Sequence, residues 1–124
     1  MRCLKVAFGM EDDETLVDAH YGDSKFFAIY EVCEDDARLI EKRPNRALEI
    51  EEEMHGDPRK LEIIMKQLND VDVLAAFRMG PNFLRINEKK LKVVFFTRTR
   101  DLQVALKRLM DNFEEVWREV EACR

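Results

Sequence analysis

Seven residues near the middle of the chain, Val71-Asp72-Val73-Leu74-Ala75-Ala76-Phe77, limit the architecture more than any other segment. The run is strand-length and almost wholly apolar, bounded by Asn69-Asp70 before it and Gly80-Pro81 after it. Such a strand has no polar face to turn to water, so both faces of its sheet must be covered. Asp57-Pro58, upstream, is a helix start: an aspartate oxygen caps orphan amides, and proline suits the first helical position. Leu61, Ile64, Met65 and Leu68 then mark one buried helical face. Downstream, Gly80-Pro81 opens a short helix reaching about Asn87, and Leu91 to Phe96 is the next buried strand.

The first third of the chain reads as three strands. Leu4, Val6 and Phe8 alternate with Cys3, Lys5 and Ala7 up to Gly9, and an acidic loop from Met10 to Gly22 follows. Phe26 to Val32 and Ala37 to Arg43 form an antiparallel hairpin through Asp35-Asp36, stopped by Pro44. At the other end, Leu102, Ala105, Leu106, Leu109, Met110, Phe113, Val116, Trp117 and Val120 predict one helix of five or six turns. Its final turns outreach a small sheet, so Trp117 and Val120 either meet a partner chain or fold back on the same core. The order β-β-β-α-β-α-β-α predicts an α/β fold with a mixed five-stranded sheet and helices on both faces.

With 124 residues the chain fits one domain, 1–124, large enough to fold without a metal or disulfide staple. A hydrophobic share of 46% excludes a disordered chain, and no apolar run approaches the roughly 20 residues that span a bilayer. Met1-Arg2-Cys3-Leu4-Lys5 runs straight into the first strand without a secretory core, which points to the cytoplasm. A net charge of -5 argues against a dedicated nucleic-acid binder. Three cysteines, an odd count with no Cys-x-x-Cys pair, argue against a disulfide framework. Cys3 and Cys33 read as small buried hydrophobes and Cys123 as an incidental terminal thiol.

If the later strands run parallel to the first, the loops Gly9–Gly22, Pro44–Gly56, Arg78–Pro81 and Thr97–Arg100 open on one rim. Ligands of open α/β sheets bind on that rim, where the direction of connection switches between strands one and four. Both histidines, His20 and His55, fall there, with Arg46, Arg78, Arg98, Arg100 and the Pro81 helix start. A loop imidazole either holds its own backbone or contacts a metal or anion. Arg78 follows the most buried strand, and its guanidinium fork suits an anion. Cys3 and Cys33 are expected at the opposite end of the sheet. No nucleophile–base set, phosphate loop or glycine-rich fingerprint is visible, so the chain does not read as an enzyme.

One ordered set of segments resembles a known family. It comprises His20-Tyr21-Gly22 before Phe26-Phe27-Ala28-Ile29-Tyr30-Glu31-Val32, then Arg43-Pro44-Asn45, His55-Gly56, Val71 to Ala76 with Met79-Gly80-Pro81, and Leu91-Lys92-Val93-Val94-Phe95. The set is similar to the dinitrogenase iron–molybdenum cofactor biosynthesis family, the NifX-like small cofactor-binding proteins. The likeness spans about residues 4–109, leaving a C-terminal helix extension of about 110–121. It implies a ribonuclease H-like three-layer α/β/α fold with sheet order 3-2-1-4-5. It also implies a nitrogenase-accessory-like role: binding an iron–sulfur or iron–molybdenum cluster, or a precursor, for delivery rather than catalysis. His20 and His55 become the metal contacts by that likeness, Arg78 a charge partner, and Gly80 and Pro81 the helix start facing the anion. Where members usually carry a glycine-rich turn this chain has Phe77-Arg78-Met79, which either fills part of the pocket or supplies an arginine there.

The expected partners are the metallocluster cargo and a cluster donor or acceptor protein, with no nucleic acid and no membrane. The rival reading is an interaction module of the same fold that has lost the cluster and forms a homodimer, or docks, through the C-terminal helix. A nuclease, suggested only by the fold name, ranks last because strands one and four lack well-placed carboxylates at their ends.

Overall fold

A computed structural model describes residues 2–49, 58–80, 86 and 91–124. Its strands are β1 (Cys3–Met10), β2 (Phe26–Cys33), β3 (Ala37–Pro44), β4 (Val73–Ala76) and β5 (Val93–Phe96). Its helices are α1 (Pro58–Gln67), α2 (Leu102–Asp111) and α3 (Phe113–Cys123). The sheet order is β3-β2-β1-β4-β5, with β1–β2 and β2–β3 antiparallel and β1–β4 and β4–β5 parallel. This is the expected mixed sheet of a three-layer α/β fold. The expected cap Asp57 and the helix from Pro81 to about Asn87 lie outside the described residues, apart from Ile86, which is buried.

Alternation along the central strands separates two cores. Leu4, Val6, Phe8 and Met10 of β1, with Val73 and Ala75 of β4, face Leu102, Ala105, Leu106 and Leu109. Ala7, with Leu74 and Ala76, faces Leu61, Ile64 and Leu68 on the other side. Fully burying a large aliphatic or aromatic side chain stabilises by roughly 1.5–3 kcal/mol. The apolar run at β4 thus feeds both layers at once, which is why it shows no polar positions.

The C-terminal stripe is one face but two helices, correcting the single helix expected from its spacing. Asn112 interrupts it, with φ -107° and ψ 16°, and its side-chain amide donates to the Arg108 carbonyl at 2.7 Å. A short amide side chain competes in this way with the helical ladder. The stripe survives the break: Phe113, Val116 and Val120 join the same core as α2, and Val120 is only 3% exposed. The end therefore folds back on its own sheet. Trp117 stacks on Phe113, with the Arg2 and Arg124 guanidinium groups 5.4 and 5.8 Å from its ring. Among the described residues no helix is long and apolar enough to cross a membrane.

The cysteines depart from expectation. Cys3 and Cys33 are not separate small hydrophobes: they stand directly opposite each other on β1 and β2 and form a disulfide. The β1–β2 connection of 15 residues hides that register from sequence reading.

Two contacts near the ends of the sheet make testable claims. Tyr21 is buried with its ring against Gly9, and its hydroxyl donates to the Ala7 carbonyl at 2.7 Å. A Cβ on Gly9 would stand 2.9 Å from that ring and closer still to the Ser24 hydroxyl. Gly9→Ala should cost about 1–3 kcal/mol, read as a lower urea midpoint, as overpacking generally does. At the end of β3, Arg43 grips Asp70 with two nitrogens at 2.7 and 2.8 Å, and Lys5 adds a third contact at 3.2 Å. Chiefly through the Arg43 hydrogen bonds, the Asp70 carboxyl lies well below the usual carboxylate range. Its stabilisation is therefore complete above about pH 4, where a free aspartate ionises, and is lost progressively as pH falls below that. Solvent screening limits a pair this exposed to about 1 kcal/mol or less. Asp70→Asn should lower the urea midpoint at pH 7 and make a much smaller difference at pH 2.

Candidate functional site

Parallel pairing of β1 with β4 and of β4 with β5 sends the loops after all three to one rim. Those loops are stitched together. The Leu16 N–H donates to the Arg100 carbonyl at 2.8 Å, Val17 to Gly9 at 3.1 Å, and Thr97 to Ala76 at 2.9 Å. Met10 bridges Leu16, and Thr15 bridges Asp101. Asp12 accepts from the Glu14 and Thr15 amides, and these bonds hold its carboxyl below the usual range. The acidic loop is thus a tied turn rather than a loose charge run. Buried Asn45 clamps the neighbouring segment, donating at 2.9 Å to the carbonyls of both Gly22 and Ser24.

His20 sits at the junction of β1 and β4. Tyr21, held on Gly9, fixes the chain there, and the His20 ring lies against Gly80, beyond the end of β4. A Cβ on Gly80 would meet three atoms of that ring at 2.6–2.9 Å. Gly80 also has φ +82°, in the left-handed region that favours glycine. Two conditions therefore select glycine at this position: backbone conformation and close approach of the imidazole.

The residues just before Gly80 divide among three environments. Phe77 packs partly buried against one core and Met79 is buried in the other. Between them Arg78 extends outward to Asp18, Nε to Oδ1 at 3.0 Å, with its guanidinium 5.8 Å from the Phe77 ring. The bulky turn therefore anchors in the cores and presents an arginine at the rim. Asp18 joins the loop before His20 to the turn after β4, and sequence reading missed it. An acid in an acidic loop carries no distinguishing pattern; only the tertiary meeting with Arg78 marks it.

Beside this junction is a cavity of about 310 Å³ lined by Glu11, Val17, Asp18, Ala19, Asp23, Lys25 and Arg100. Asp23 is met by the Lys60 ammonium at 2.5 Å and Asp18 by Arg78, so acids and bases are interleaved. Of the five residues expected at the site, the structure brings His20, Arg78 and Gly80 together. His55 and Pro81 lie outside the described residues. The disulfide cysteines are elsewhere, as expected of both positions: Cys3 opens β1 and Cys33 closes β2, at the opposite rim. Cys123 precedes Arg124, which pairs with Asp72 at 3.3 Å, immediately before β4 and also at that far end.

Comparison with known proteins agrees with the fold. A crystal structure of a candidate dinitrogenase from Methanocaldococcus jannaschii superposes with a TM-score of 0.56 at 16% identity, covering 90% of this chain and 92% of that one. At that identity the likeness shows the fold. No curated protein matches the chain. The family model described as dinitrogenase iron-molybdenum cofactor matches residues 2–112, the whole sheet and α2, so its span takes in both β1 with its loop and the β4 turn. The chain is a member of the dinitrogenase iron-molybdenum cofactor family.

Proposed function

We propose that the protein is a non-enzymatic carrier for an anionic iron–sulfur or iron–molybdenum cluster, or a precursor of one, bound at the rim where β1 and β4 meet. The observation that carries this reading is the seating of His20 on Gly80 beside Arg78, with the cysteines at the other end of the sheet. An imidazole supplies a ligand or a hydrogen-bond donor, and a guanidinium supplies charge-assisted hydrogen bonds to sulfide or carboxylate. A cluster held without protein thiolates arrives and leaves intact, which suits a carrier better than a resident redox centre. Pro81 and His55 extend the same contact set by family likeness. The setting proposed is the cytoplasm, with a cluster donor and a cluster acceptor as successive partners.

The interaction-module reading, which rests on Trp117 and Val120, is not favoured among the described residues, because Val120 is buried in the protein's own core and Trp117 packs partly buried against it. Of the carboxylates described at the rim, Asp18 is paired with Arg78 and Asp23 with Lys60, which does not favour the open metal site a metal-dependent nuclease needs.

Anaerobic loading with ferrous iron and sulfide tests the proposal by visible absorbance. A chromophore of about one cluster per chain is expected. His20→Ala and His55→Ala should each weaken binding by about tenfold or more, the usual effect of losing one charge-assisted contact. A protein that stays colourless under every loading condition ends the reading. Asp18 supplies a second, opposite prediction, since its carboxylate neutralises Arg78. Asp18→Asn should tighten cluster binding by roughly two- to fivefold, within the range of an exposed ion pair, and raised salt should erase the gain.

A further inference from the structure

The end of the sheet remote from His20 carries its own constellation. Cys3 and Cys33 face each other across β1 and β2, and Lys5 faces Glu31 on the same side of the sheet. The Cys33 N–H turns away from β1 to donate to the Asp36 carbonyl at 2.7 Å, while the Lys5 N–H donates towards β4, to the Asp72 carboxylate. Cys3 and Cys33 are therefore a non-hydrogen-bonded antiparallel pair, the register in which opposed side chains come closest. Glu31 is two residues before Cys33, so its side chain projects on the same face. The two sulfurs and a Glu31 carboxylate oxygen all lie within 4.8 Å of one another. Cys33 is buried and the other two are half-buried, which gives the group a dry side and an open side.

We propose that Cys3, Cys33 and Glu31 form a redox-gated site for a borderline or soft divalent cation of the zinc(II) class. In the disulfide state the sulfurs are joined to each other and offer no thiolate. A dithiol reductant opens it: the reductant's two thiols become a disulfide, the Cys3–Cys33 bond breaks, and each sulfur takes up a proton. The cation then displaces those two protons and forms two metal–sulfur bonds, with the Glu31 carboxylate as third ligand and water in the remaining tetrahedral position. Two thiolates with one carboxylate suit zinc(II) and exclude hard cations such as magnesium and calcium. Zinc–sulfur bonds of about 2.3 Å place the sulfurs roughly 3.7 Å apart, within reach of side-chain rotation while the strand ladder stays in place. Arg38 competes for Glu31, its Nε 3.1 Å from Oε1, but its own side chain is largely exposed and its grip correspondingly weak. The gate is chemical exclusivity, since one pair of sulfurs cannot be a disulfide and a dithiolate together. The site is independent of the cluster proposal, because the two lie at opposite ends of β1.

Cobalt(II) and zinc(II) serve as probes, in the Cys123→Ser background so that the terminal thiol cannot contribute. The chain is reduced with dithiothreitol, freed of reductant anaerobically, and titrated beside the oxidised chain. One cobalt(II) per reduced chain, with a thiolate-to-metal charge-transfer band, is expected, and none for the oxidised chain. Zinc(II) should bleach the band and protect two thiols from alkylation. Glu31→Gln should weaken binding about tenfold or more, while Cys33→Ser should abolish the band. Uptake that is equal in oxidised and reduced chains overturns the proposal. So does a reduced chain that loses its circular dichroism, or one that stays folded and binds no metal.

Discussion

β1 has neighbours on both edges and helices over both faces, and the rest of the molecule is arranged to satisfy that enclosure. Its even-numbered residues enter one core and Ala7 the other, while its backbone pairs with β2 on one side and β4 on the other. A central strand in this position must be apolar on both faces and free of proline, and Val6 to Gly9 meets both conditions. Because β1 pairs antiparallel with β2 and parallel with β4, its carboxyl end becomes the point where chain direction divides. The candidate site is a consequence of that division.

Small residues convert the division into a site. Gly9 lets the Tyr21 ring approach the end of β1, and Gly80 lets His20 approach the end of β4. The tyrosine hydroxyl on Ala7 and the amide of Asn45 then fix the segment between them. Much of the ordered set that marks the family is therefore architectural. Tyr21, Arg43 and Asn45 all hold elements together, and His20, Arg78 and Gly80 are what remain at the rim. The same strand carries Cys3 at its other end, so one element separates the imidazole from the cysteine sulfurs by its full length.

How far the sequence disclosed this depends on the range of each interaction. The β2–β3 hairpin is set by a local turn and α1 by its periodic face, so Asp35-Asp36 and Leu61, Ile64 and Leu68 were readable in place. Asn112 was not, because an asparagine on the polar side of a good helical stripe gives no sign that its amide will take the Arg108 carbonyl. The partners of Arg78 and Cys3 were also hidden. Asp18 lies 60 positions from Arg78 and Cys33 lies 30 from Cys3, across connections too long to transmit register. A strand's face is written in its own alternation, but its partner's register is written in neither strand alone.

By itself, then, the sequence determined the alternation of elements, the need for two covering layers, and the rim on which His20, Arg78 and Gly80 would emerge. These follow from hydrophobic period and chain direction, which are local properties. Tertiary structure alone decided that Arg78 turns to Asp18, that the final helix returns to its own core after a break, and that Cys3 meets Cys33. Each of these is a contact between distant segments, fixed only when the strands settle into register and the two cores close around β1.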